Sequence, residues 1–227
     1  MDTNSKSPRR EFLGKLAAGA GTTLALPALL TSLNVQAAIE PTVSPAEADE
    51  WFKKVKGKHR IVYDATEPHN GFPVIWSWVF YKSNNETGSP DSELTAVVVL
   101  RHHGICLAFE DRIWEKYKFG ETFKVMDTST TAPAIKNPYH IPTDSKMVAM
   151  GMDGIKNLTS RGVMFCVCET AITVNSGMAA KAMNSAPEEV KKDWLNGLLP
   201  GVQVVPSGVW AIGRAQENKC AYCYAGG

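Results

Sequence analysis

Residues 94–100 read LTAVVVL, a charge-free run in which three successive valines sit among leucine, alanine and threonine. A stretch so short, so β-branched and so lacking in polar alternation fits a strand covered on both faces. Such strands belong to parallel sheets, where crossover helices packed on either side keep both faces dry. The rest of the chain supplies the matching pieces. Residues 60–64, 163–168, 202–205 and 220–224 read as further strands, and residues 73–84, 105–116, 147–160, 171–183, 187–195 and 206–216 as helices between them. The 187–195 helix is opened by Pro187, Glu188 and Glu189, the residue types that suit a first turn. This alternation predicts an α/β fold: a single doubly wound, mainly parallel five-stranded sheet with helices on both faces. Residues 116–144, which carry Asn137, Pro138, Tyr139, His140 and Pro142, read as a lid or insertion.

The front of the chain has a different character. Arg9 and Arg10 precede Phe12 and Leu13, a mildly apolar run rich in glycine and alanine follows, and small residues surround Ala37 and Ala38. That order of paired charge, grease and small side chains predicts a twin-arginine export signal over residues 1–37, cleaved near Ala37. Pro27 and several glycines make the apolar run a poor permanent span, so no stable membrane span is expected after cleavage. The expected location is periplasmic, with the twin-arginine export machinery as a partner. Such signals address proteins that cross a membrane folded, which hints at a cofactor without naming one. Residues 38–57 read as a proline-spaced tether and an N-terminal helix capped by Ser44, leaving residues 58–227 as the α/β domain. Removing the leader leaves about 190 residues, a single-domain length able to bury a substantial core.

The chain has 24 Lys and Arg against 23 Asp and Glu. Without a basic stripe, nucleic acid and anionic membrane are poor partners. No GxxxxGK, GxGxxG, GxSxG or HExxH occurs, which removes the common phosphate-loop, dinucleotide, serine-hydrolase and zinc-protease readings. All five cysteines lie in the mature part, and an odd count leaves at least one thiol outside intramolecular disulfides.

In open parallel sheets ligands bind beyond the carboxyl ends of the strands, so residues 64–69, 101–106, 168–170 and 206–208 carry the functional expectation. Cys168 falls where the 163–168 strand meets a helix, and the helix N-terminus favours a thiolate there. Glu169 beside it works the other way. Cys166 is expected on the same face, one layer deeper, as core. His102 and His103 end the 94–100 strand, and one imidazole at that rim can take a proton from Cys168 or hold an anion or a metal. Only one of two successive side chains should enter the crevice, and His103, preceding Gly104, is the expected one. His102, Glu169 and Ser207 are the accompanying binding candidates. Cys220 and Cys223 form a CxxC that reads as a disulfide, as two independent cysteines or as a redox dithiol. Tyr224 after it excludes haem attachment, and no second pair completes a zinc site.

Four stretches carry a resemblance: residues 199–209 (LPGVQVVPSGV), residues 162–168 (GVMFCVC), His103 with Gly104, and residues 58–64. Together they resemble, in order, the DsrE/DsrF-like family of small α/β proteins linked with intracellular sulfur oxidation and sulfur relay. The resemblance implies a sulfur-carrying cysteine at Cys168 and homo-oligomers or relay partners that exchange persulfide. The leading expectation is an exported sulfur-handling protein, possible as a sulfurtransferase or carrier, with His103 assisting. The alternative is a non-enzymatic protein that holds a metal or small ligand in the same crevice through His102, His103 and Cys168.

Overall fold

The structure, a computed structural model, describes residues 44–226. The expected export signal, and the tether up to residue 43, lie outside the described residues. Five strands form one sheet: β1 (His59–Ala65), β2 (Leu94–Leu100), β3 (Met164–Cys168), β4 (Gln203–Val205) and β5 (Ala221–Tyr224), in the order β4-β3-β2-β1-β5. Every pairing is parallel, so the α/β fold expected from the sequence is the one observed.

All seven residues of β2 are buried, and the two-residue period of the strand divides them between two cores. Leu94, Ala96, Val98 and Leu100 face a large core with α2 (Phe72–Glu86), α3 (Asp111–Lys116), α6 (Ile155–Arg161), α7 (Glu169–Met183) and α8 (Pro187–Asn196). Val97 and Val99 face a smaller one with α1 (Pro45–Phe52) and α9 (Gly208–Glu217). The first helix is thus part of the folded unit. Ser44 and Glu47 close a capping box, and Trp51 and Phe52 are buried against the sheet.

From β1 to β4 the chain steps in one direction and its crossovers pack on the large core. The return from β4 to β5 runs through α9 on the other face. The chain leaving β3 and the chain leaving β4 therefore part to opposite sides, which opens a crevice at their carboxyl ends. Thr170 Oγ1 donates to the Pro206 carbonyl across it at 2.9 Å.

Three stretches depart from the sequence-based expectation. The helix expected over 105–116 is instead a 3-10 segment, His102–Ala108, followed by the short α3. Ile105 to Phe109 are fully buried, and the carbonyls of Cys106 to Phe109 find partners outside the segment. Trp114 Nε1 donates to Cys106 O, Asn137 Nδ2 donates to Leu107 O and Phe109 O, and Leu199 N donates to Ala108 O. The 116–144 region is not a lid. Short α4 (Phe119–Thr122) and the buried Phe123, Val125, Ala134 and Tyr139 build it into the large core. The expected 147–160 helix is split into α5 (Ser145–Ala149), capped by Asp144, and α6.

Asp193 on α8 ties this region down. It accepts from Arg112 (2.6 Å), Lys116 (2.6 Å) and Tyr117 (2.7 Å). Burial works to raise its carboxyl, but these hydrogen bonds outweigh it and hold it at about 2. A depressed carboxyl contributes stability above the unfolded-chain value of about 4 and loses it as pH falls through the folded one. Denaturant titrations should therefore show wild type more stable than Asp193→Asn near neutrality, with the gap closing between about pH 4 and pH 2; a gap unchanged by pH would contradict the assignment.

Candidate functional site

β1, β2 and β3 end level. Ala65 pairs with Leu100, and Leu100 with Val167, so the residues just beyond them form a row at one end of the sheet. Extending that register by one residue sets Arg101 beside Cys168. Extending it by two on the other side sets His102 beside Glu67. Two polar clusters grow from this row.

The first surrounds Cys168. Its sulfur caps α7, accepting a hydrogen bond from the Ala171 amide at 3.3 Å, and the residue is 6% exposed. Arg101, its neighbour in register, stands in the same row. Arg101 is held by Asp64 in a two-point contact, Nε to Oδ1 at 2.6 Å and Nη2 to Oδ2 at 2.9 Å. Those hydrogen bonds push the guanidinium pKa further up, against the effect of burial, with Asp64, Tyr222 and Cys168 adding charge support. Tyr222 donates its hydroxyl to Asp64 Oδ2 at 2.9 Å, which raises the phenol's pKa. Gly208, at the start of α9, lies directly under the Arg101 stem, where a Cβ would collide with it. Ser207 is spent as the N-cap of α9, accepting from the Trp210 amide at 3.3 Å.

The second cluster joins His102 and His103 to Glu67. His102 Nδ1 lies 2.9 Å from Glu67 Oε1 and His103 Nδ1 lies 3.1 Å from Oε2, with the two rings 4.0 Å apart. The expectation that only one histidine would enter the crevice fails here for a backbone reason. His102 has φ 51°, a left-handed conformation uncommon for a residue with a Cβ, and it turns both side chains toward one carboxylate. Gly104 then presses against the Ala65 carbonyl, where no larger residue fits. His103 also borders a cavity of about 470 Å³ lined by Glu67, His69, Asn70, Phe123 and Lys124 among others. Among the described residues this is the one set of three His, Cys, Asp or Glu side chains whose donor atoms all lie within 4.8 Å of one another.

The expected single crevice is thus two clusters. Cys168 accepts its hydrogen bond from a backbone amide, while both imidazoles are engaged by Glu67, so among the described residues the thiol and the histidines are bonded to different partners. Glu169, expected as a binding residue, lies below the rim. It is buried and paired with the equally buried Lys191 on α8 at 2.9 Å. Cys166 is core as expected, its thiol pushed up by burial, but it faces the smaller core while Cys168 has turned into the larger one. Cys106 is likewise fully buried. Cys220 and Cys223 form no disulfide. Three residues apart along the β5 edge, they fall on opposite sides of the sheet, Cys220 in the smaller core and Cys223 against the larger. Burial, partly offset by Arg60, raises the Cys220 thiol to about 11.

Sequence reasoning placed Asp64, Glu67 and Arg101 at the rim without giving them roles. The signal that would have done so is the common end point of β1 and β2, which pairing register alone supplies. Lys191 carried no such signal, since it lies mid-helix among other charged residues.

No family model and no curated protein matches the chain. Among solved structures, that of MTH1491, a protein of unknown function from Methanobacterium thermoautotrophicum, is similar at 19% identity, covering 74% of this chain and 99% of that one with a TM-score of 0.39.

The Glu169–Lys191 pair generates a stability test. Glu169→Gln leaves the Lys191 ammonium buried without its carboxylate and should cost about 3–5 kcal/mol in urea unfolding, while Glu169→Leu with Lys191→Met should recover most of the loss. Equal losses in the single and double variants would mean the pair's own charges are not what matters.

Proposed function

We propose that this protein is an exported sulfur carrier that holds sulfane sulfur as a persulfide on Cys168. The observation that carries the reading is the seat of that sulfur: at the end of β3, on the N-terminus of a 15-residue helix, accepting an amide hydrogen bond, with Arg101 the next residue across in strand register. An amide donor and a guanidinium are the groups that stabilise anionic sulfur. The resemblance of residues 162–168 and 199–209 to DsrE/DsrF-like proteins points to the same residue, and the twin-arginine pattern in residues 1–37 supports work in the periplasm.

In the loading step the Cys168 thiolate attacks the outer sulfur of a donor persulfide. A bond forms between Cys168 Sγ and that sulfur, the donor's sulfur–sulfur bond breaks, and the donor leaves as a thiolate. Transfer to an acceptor thiolate repeats the exchange in reverse, with a relay protein or a second copy of the chain as the partner. Asp64 and Tyr222 act through Arg101: they fix its guanidinium at the rim, and Gly208 leaves room for its stem. No histidine takes part, which differs from the role expected of His103.

Incubation with a low-molecular-weight persulfide followed by intact mass measurement tests the reading. Wild type and Cys223→Ser should gain the mass of one sulfur atom, reversible by a reductant, and Cys168→Ala should gain none. Arg101→Leu should load more slowly. A wild-type chain that stays unmodified, or a Cys168→Ala chain that loads as well as wild type, would end the proposal.

A further inference from the structure

The Glu67, His102 and His103 cluster has no part in that chemistry, and it is built in a way that plain surface hydrogen bonding does not require. Two adjacent histidines are made to converge on one carboxylate by a left-handed residue, a conformation unfavourable for a side chain with a Cβ that persists where the surroundings enforce it. The enforcement is visible: the His103 and Gly104 amides both donate to the Thr66 carbonyl at 3.0 Å, and Gly104 is packed against β1. All three side chains are partly open to solvent, so an ion can reach them.

We propose that Glu67, His102 and His103 form a binding site for a late first-row divalent metal, zinc by the chemistry of the donors. Two imidazole nitrogens and one carboxylate oxygen are a common zinc set with three protein ligands and one position left open. In the metal-free cluster the Nδ1 hydrogens hold the imidazoles to the carboxylate. A divalent ion takes the place of those hydrogens at Nδ1, and each ring then carries its hydrogen on Nε2. The Nδ1 to carboxylate distances, 2.9 and 3.1 Å, need to open only to the ~3.3 Å between ligands of a tetrahedral zinc. The open position belongs to water or a small anion entering from the neighbouring cavity, whose lining includes His69 and Lys124. This site is independent of Cys168, so either can fail without the other.

Titration of the metal-free full chain, free of any histidine tag, with zinc sulfate by calorimetry tests the proposal. The expected result is one zinc per chain, with affinity reduced about tenfold or more in Glu67→Gln and in His103→Ala, and lost in the His102→Ala, His103→Ala double variant. Cys168→Ala should bind as wild type does, and circular dichroism of each metal-free variant should match wild type. Absence of stoichiometric binding in wild type would overturn the site, as would unchanged affinity in the three ligand variants. Loss of binding in Cys168→Ala would overturn it as well, because the metal would then sit on the cysteine.

Discussion

β2 has no exposed face. Its seven side chains are divided between two dry cores, and its backbone is paired on both edges, to β1 and to β3. The charged residues of this part of the sheet are consequently pushed toward the strand ends, since a charge in the middle of β2 would be buried without a partner. Because β1, β2 and β3 stop at the same level, those displaced polar residues form one row rather than scattering over loops of different height. Asp64, Glu67, Arg101, His102 and Cys168 owe their nearness to this alignment, although they come from three separate parts of the chain.

The row then divides by backbone conformation. Arg101 continues extended from β2 and reaches Asp64 on the side of the smaller core, where Gly208 of α9 makes room. One residue later the chain reverses at His102, and both histidines swing to Glu67. Cys168 turns the opposite way into α7. A single left-handed residue and a single helix start are enough to separate the Cys168 cluster from the imidazole cluster at one end of the sheet.

The regions hardest to read share one physical property: their polar groups are satisfied by residues distant in sequence. His102–Ala108 is fully apolar from Ile105 onward and reads as a helix, because periodicity cannot reveal that Asn137, Trp114 and Leu199 satisfy its carbonyls. The 116–144 region reads as a lid because its prolines and polar residues resemble a loop, yet its scattered aromatics are core. Glu169 was legible as a charge beside the candidate cysteine, but its partner Lys191 lies on the next helix and removes it from the site.

Local pattern sufficed where the information is local. Uniform aliphatic runs marked the buried strands, Ser44 and Pro187 marked helix starts, and the order of strands and helices implied a parallel sheet with two covered faces. The sequence likewise located the rim, since the residues after each strand are known once the strands are. Pairing among those residues was decided by the tertiary structure alone, because it depends on the level at which neighbouring strands end and on the left-handed turn at His102. Neither property is carried by any short window of the chain, and both decide which donor atoms meet.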